Sequence, residues 1–181
     1  MKQRFATCLS ALTVMLMLAA AVHAQTFQPS GSTTISVTVA AEASLYIEDS
    51  TTTLSGGPLF SDYTGTTRFT YKIRTSQGSG TGSITSLVTA DFSPAGGPSV
   101  SNPPTAGDAL TYTCSVSSPA TACSGTQTAS TTAAQPVASF GANARSSRNG
   151  NSGQVNWTLT NDPLYATGSY SATVTFTVSA T

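Results

Sequence analysis

The chain has 181 residues, 7 basic and 7 acidic side chains, and only 8% charged residues. Ser and Thr together make up about a third of it, far above ordinary usage. A nucleic-acid binder is excluded on charge, since no cationic surplus exists to release counterions. A soluble helical bundle is excluded on composition, since Glu, Lys, Leu and Arg are scarce.

Residues 1–24 read as a secretory signal peptide. Lys2 and Arg4 form a positive start, Leu9 to Val22 is apolar apart from Ser10 and Thr13, and Val22-His23-Ala24 places small residues at −3 and −1. Cleavage is expected before Gln25. The apolar run is short for a bilayer span, and no second one follows, so no membrane span is expected after cleavage. Processing would remove Lys2 and Arg4, leaving five basic residues against seven acidic ones. It would also remove His23, the single histidine, and Cys8. The remaining pair, Cys114 and Cys123, is expected to form a disulfide, as an even pair does in an exported chain.

Residues 25–32 (QTFQPSGS) read as a flexible leader, and 33–181 as one domain. From Thr33 onward apolar and polar residues alternate with period 2, the signature of half-buried strands. Ile35, Val37 and Val39 alternate with Ser36 and Thr38. Leu45 and Ile47 follow. Phe69, Tyr71 and Ile73 alternate with Arg68, Thr70, Lys72 and Arg74. Ile84, Val88 and Phe92 share one register, and Leu110, Tyr112, Cys114 and Val116 another. Val155, Trp157 and Leu159 come next, and Tyr170, Ala172, Val174, Phe176 and Val178 close the chain. Gly, Pro, Ser and Asn clusters punctuate these runs. Val and Thr dominate them, and both are stiff β-branched residues that fit a pleated surface. The pattern predicts an all-β fold, an immunoglobulin-like antiparallel β-sandwich of seven to nine strands, in which two sheets bury their apolar faces against each other. A closed barrel is the other arrangement with this pattern. Leu164 to Tyr170 (LYATGSY) matches the spacing of a tyrosine corner, which gives Tyr170 a structural role through its hydroxyl.

The chemistry is bounded by what is missing. Without histidine, no Ser-His-Asp or Cys-His arrangement and no histidine-based metal site forms in the processed chain. No phosphate-binding loop signature occurs; Gly78-Ser79-Gly80-Thr81-Gly82 lies between two strand-like runs and reads as a hairpin turn. Cys114 and Cys123 span a short Ser/Pro-containing segment and read as a staple across a hairpin or loop. Seven carboxylates remain as acid–base groups: Glu42, Glu48, Asp49, Asp62, Asp91, Asp108 and Asp162. Their scatter predicts strand ends and turns rather than a catalytic pair. A calcium site of Glu48 and Asp49 with Asp62 or Asp162 would need loops to gather them, and no EF-hand spacing is present. Trp157 shares a register with Val155 and Leu159, so it is expected in the core rather than on a sugar-binding platform. Lys72 falls in the register of Arg68, Thr70 and Arg74, a basic stripe expected on a solvated face. No catalytic residues, metal site or cofactor are therefore expected, and the protein is expected not to be an enzyme.

The closing run Tyr165 to Ala180 (YATGSYSATVTFTVSA) resembles the last strand of secreted bacterial fimbrial-subunit and spore-coat-type β-sandwich proteins. The resemblance covers 16 of 181 residues. It implies a structural protein, secreted, at the cell surface or in the periplasm, of a fimbria-like assembly. Its partners would be further copies of itself or other surface proteins. In such an assembly Thr33 to Ala40, with Ile35, Val37 and Val39 on one side, is a segment that could add as a strand to a neighbour. The other expectation is a secreted immunoglobulin-like binding module for carbohydrate or protein. Its contact surfaces would be the loops Pro94 to Asp108 and Arg145 to Gly153.

Overall fold

The computed structural model describes residues 30–181. The expected signal peptide and the first residues of the leader lie outside the described residues. Nine strands form among the described residues, β1 (Glu42–Ile47), β2 (Tyr63–Arg74), β3 (Gly82–Ser93), β4 (Thr111–Val116), β5 (Thr121–Ala122), β6 (Gln127–Thr128), β7 (Gln135–Phe140), β8 (Asn151–Leu159) and β9 (Ser171–Ala180). They build two antiparallel sheets, one in the order β1-β2-β8-β4-β6 and the other β5-β7-β3-β9. No helix occurs among the described residues, and so none there is long and apolar enough to cross a membrane. The all-β sandwich expected from the alternation is what forms, and Thr38–Thr181 is its compact unit.

The period of 2 explains the layers. Inward residues of β2 (Phe69, Tyr71, Ile73) and β8 (Val155, Trp157, Leu159) are buried, as are Ile84 and Val88 of β3 and Val137 of β7. The outward residues of β2 are Arg68, Thr70, Lys72 and Arg74, as their register demands. Register is fixed because a slip of one residue would turn the whole apolar set outward. In β3 the pairing with β9 shifts after Val88, and Phe92 is left half-buried.

Polar groups within the core are satisfied in pairs. The Trp157 indole donates to Thr67 Oγ1 at 2.9 Å, and Thr67 shares a 2.6 Å hydrogen bond with Thr52. Ser86 donates to the Tyr112 hydroxyl at 3.1 Å, which donates to the Pro136 carbonyl at 3.0 Å. These bonds allow large amphipathic rings into the core without an unpaired donor.

One local expectation meets a different outcome, and a second is met with an added consequence. Thr33 to Ala40 alternates like a strand, yet among the described residues no strand precedes Glu42. A strand exists through its hydrogen-bonded neighbour, and this segment has none among the described residues. The disulfide joins Cys114 and Cys123, but it does more than close a hairpin. Cys114 lies on β4 in the first sheet, while the Cys123 amide bonds the Val137 carbonyl of β7 in the second. The bridge thus ties the two sheets together. Replacing both cysteines with Ala should lower unfolding free energy by roughly 2.5–3 kcal/mol, from the chain entropy of a loop this short. Urea denaturation of the double variant against the parent checks this.

Candidate functional site

The feature that stands out is the open side of the sandwich, where β1 and β9 approach each other. Each is the last strand of its sheet, β1 bonded to β2 alone and β9 to β3 alone. β9 is ten residues long, and its outer N–H and C=O groups have no neighbouring strand among the described residues. Its inward residues Ala172, Val174, Phe176, Val178 and Ala180 are half-buried rather than buried, as are Ala43, Leu45 and Ile47 of β1. Phe176 reaches furthest inward, with its ring 6.4 Å from that of Phe69 and 6.5 Å from that of Trp157. The other apolar side chains of β9 are left with one flank uncovered. Long apolar edges of this kind are ordinarily protected by charge, Pro or a covering element. β9 carries no charged residue and no Pro.

The same chain carries a segment of matching chemistry. Ile35, Val37 and Val39 are 92%, 84% and 62% exposed. Being two residues apart, they fall on one side of an extended chain. Thr33 to Ala40 would span about 26 Å when extended, some four-fifths of the roughly 33 Å of the ten-residue β9. Arg74 holds the point where this segment enters the sandwich. Its Nε donates to the Ala40 carbonyl at 2.7 Å, and it pairs with Glu42 at 3.1 Å.

The other expected residues take structural places. Trp157 is buried, with its ring tilted 56° to that of Tyr112 at a centroid distance of 5.0 Å. The Tyr170 hydroxyl donates to the Ala166 carbonyl at 2.7 Å, the upstream backbone contact of a tyrosine corner. Its ring also lies over Gly97, where a Cβ would come within 2.3 Å of it. Gly97 was not legible as special in the sequence, because the ring it accommodates is 73 residues away. In the basic stripe, Arg68 forms a bidentate pair with Asp49 through Nη2 at 2.9 Å and Nε at 3.2 Å. That pairing holds the Asp49 carboxyl below its usual range and raises Arg68. Lys72 remains exposed.

The carboxylates do not converge on a cation site. Among the described residues no three His, Cys, Asp or Glu side chains are placed to hold a metal. Asp91 instead organises the loop after β3. Burial works to raise its pKa, but bonds from Ser101, the Val100 amide and Ser99 outweigh this and hold it well below the usual range. This loop borders a cleft of about 460 Å³ lined by Phe92, Gly96, Pro98, Pro104 and Leu164 among others.

Asp108 and Asp162 do meet, across the β3–β4 and β8–β9 loops. Thr105 bridges them, its amide bonding Asp108 at 3.2 Å and its hydroxyl bonding Asp162 at 2.8 Å. Burial, then the neighbouring Asp162 carboxylate, pushes the Asp108 carboxyl up. The Leu164 amide, the Thr105 hydroxyl and Asp108 hold Asp162 down. The buried Tyr165 hydroxyl in the same loops is unpartnered and is pushed up to about 12, by burial and then by the two carboxylates. The sequence did not pair these acids, which lie 54 positions apart.

No protein-family model matches this chain, and none of the curated proteins or solved structures compared with it does.

Because the folded-state pKa of Asp108 is raised, its ionisation opposes folding at neutral pH and ceases to do so below the ordinary carboxyl pKa. Asp108→Asn should therefore raise the melting temperature at pH 7. The gain should shrink as the pH is lowered through the range just above the ordinary carboxyl value of 3.8. Thermal melts of both proteins across pH 3 to 7 check the sign.

Proposed function

We propose that this protein is a non-enzymatic structural subunit, exported to the cell surface or periplasm, that assembles by strand exchange between copies. In this reading Thr33 to Ala40 of one copy adds to the free edge of β9 in the next. Ile35, Val37 and Val39 cover the seam that Leu45, Ile47, Val174, Phe176 and Val178 leave half-open. The observation that carries the reading is the coexistence, in one chain, of an uncharged apolar edge and an exposed alternating segment that has no strand partner among the described residues.

Strand order adds support. In an immunoglobulin-like sandwich of seven strands, one sheet runs A-B-E-D and the other C-F-G. Here β1-β2-β8-β4 matches A-B-E-D, and β3-β9 matches C-F, with β5, β6 and β7 as additions. The place of the seventh strand, beside β9, is the one left open. Main-chain bonding along β9 would supply affinity, and the alternate apolar side chains would supply register. The resemblance of Tyr165 to Ala180 to secreted fimbrial and spore-coat-type sandwiches points the same way. So does the inter-sheet disulfide, which belongs to an oxidising compartment.

The test is the behaviour of the exported chain on gels run with and without heating in detergent. Strand exchange predicts a ladder of multiples in the unheated lane that collapses to one band on heating. Deleting Thr33 to Ala40 should abolish the ladder. Val37→Asp should reduce it strongly, because it places a charge in an apolar seam. A uniform monomer in both lanes at high protein concentration would overturn the reading.

A further inference from the structure

The charged side chains of the sandwich are sorted by end. At the end formed by the β1–β2, β3–β4 and β8–β9 loops lie Asp62, Asp91, Asp108 and Asp162, and no Lys or Arg among the described residues. At the opposite end, around the β7–β8 loop and the last residues of β2, lie Lys72, Arg74, Arg145 and Arg148, with Glu42 as the acidic member. Arg68, Asp49 and Glu48 sit between, with one net negative charge. Arg68 pairs with Asp49, and Glu48 accepts from Thr70. The outward face of β9 carries only Ser and Thr. The two ends are separated by about 40 Å, the length of the twelve residues of β2.

The acidic end is also the apolar one. Leu59, Phe60 and Leu164 are 95%, 64% and 70% exposed. Leu59 and Phe60 both adopt positive φ, 59° and 55°, which is uncommon for bulky residues. Strain of this kind persists where surrounding structure over-determines it. The loops are indeed tied together: Asn161 donates to the Ser61 carbonyl at 3.3 Å, and the Ala166 amide to the Gly96 carbonyl at 2.8 Å. The tip is thus presented by a knitted support. The basic end is equally fixed. The Ser146 amide bonds the Ile73 carbonyl at 3.0 Å, Arg145 Nε donates to Asn143 at 3.1 Å, and Asn151 donates to the Ser118 carbonyl at 2.6 Å. Arg145 and Arg148 are exposed.

We propose that the acidic, apolar-tipped end of one copy, carrying Leu59, Phe60 and Asp62, docks head to tail on the basic end of a second copy, carrying Arg145 and Arg148. The occupant is identified by charge complementarity. An anionic membrane would be repelled by the carboxylates around Leu59 and Phe60, whereas a second copy offers an arginine pair of opposite sign. At physiological salt the Debye length is about 8 Å, far shorter than the molecule. The two ends therefore act on each other at contact, steering copies into one polarity. The inference shares with the assembly reading above the identity of the partner, a second copy, but uses a surface distinct from β9.

The test is sedimentation velocity of the exported full chain at low and at high salt. Self-association of the parent is expected to weaken at high salt. Arg145→Glu with Arg148→Glu should weaken it about tenfold or more at low salt, as facing like charges do. Asp62→Lys introduced beside Arg148→Glu should recover part of the loss relative to Arg148→Glu alone. Leu59→Ser with Phe60→Ser should weaken association at both salt concentrations. All these positions are exposed, and circular dichroism melts verify that each variant folds. Association that is insensitive to salt and unchanged in the arginine variant overturns the end-to-end contact. A detergent-resistant ladder that survives in that variant leaves strand exchange standing. A ladder that survives deletion of Thr33 to Ala40 overturns strand exchange without touching the charge-reversal result.

Discussion

Phe176 anchors β9 on the open side of this sandwich. Its ring contacts Phe69 and Trp157 in the opposite sheet, and it is the one large aromatic that β9 contributes. Among the described residues β9 bonds to a single neighbouring strand, so half of its backbone edge contributes nothing to the ladder. Its attachment on that side depends on inter-sheet packing. Away from Phe176, the smaller inward residues of β9 keep part of their apolar surface in contact with water. The assembly reading follows from this imbalance, because an edge strand with uncovered apolar residues is stabilised by another strand laid beside it.

The rest of the core is built to tolerate such an edge. Its polar rings are each given a fixed partner, Trp157 on Thr67 and Tyr112 on Pro136 and Ser86. Tyr71, fully buried, donates to the Ser117 carbonyl and accepts from the Ala120 amide at 3.3 Å. These bonds are directional and specify one arrangement of the sheets, which dispersion alone does less sharply. The Cys114–Cys123 bridge acts at the far side from β9, through β4 and the residues beside β7. One flank is thereby cross-linked and the other left accessible.

Charge is handled with the same economy. An 8% charged chain has few groups with which to mark its surface, and apart from Arg68, Asp49 and Glu48 the fold places those of the described residues at the two ends. The sheet faces between are covered by hydroxyls that bond one another across strands, such as Ser83 with Ser179 at 3.0 Å and Thr89 with Thr175 at 3.0 Å. A free β9 edge and oppositely charged ends give two distinct surfaces to one partner, another copy of the chain.

Periodicity alone determined the sandwich class and which face of β2, β8 and β9 turns inward. It did so because a strand alternates faces residue by residue, a property of the backbone rather than of its neighbours. The corner contact of Tyr170 was legible for a similar reason, since donor and acceptor are four residues apart. The alternation of Thr33 to Ala40 was equally legible, but whether it pairs was not. Pairing needs a partner edge, and local sequence does not say where one is. Tertiary structure alone decided that β9 stands at an edge, and that the short disulfide crosses between sheets. It also decided that Asp108 meets Asp162, and that acids and bases separate to opposite ends. Each of these depends on residues distant in the chain being brought side by side, which follows from strand order and not from the spacing of residues along the sequence.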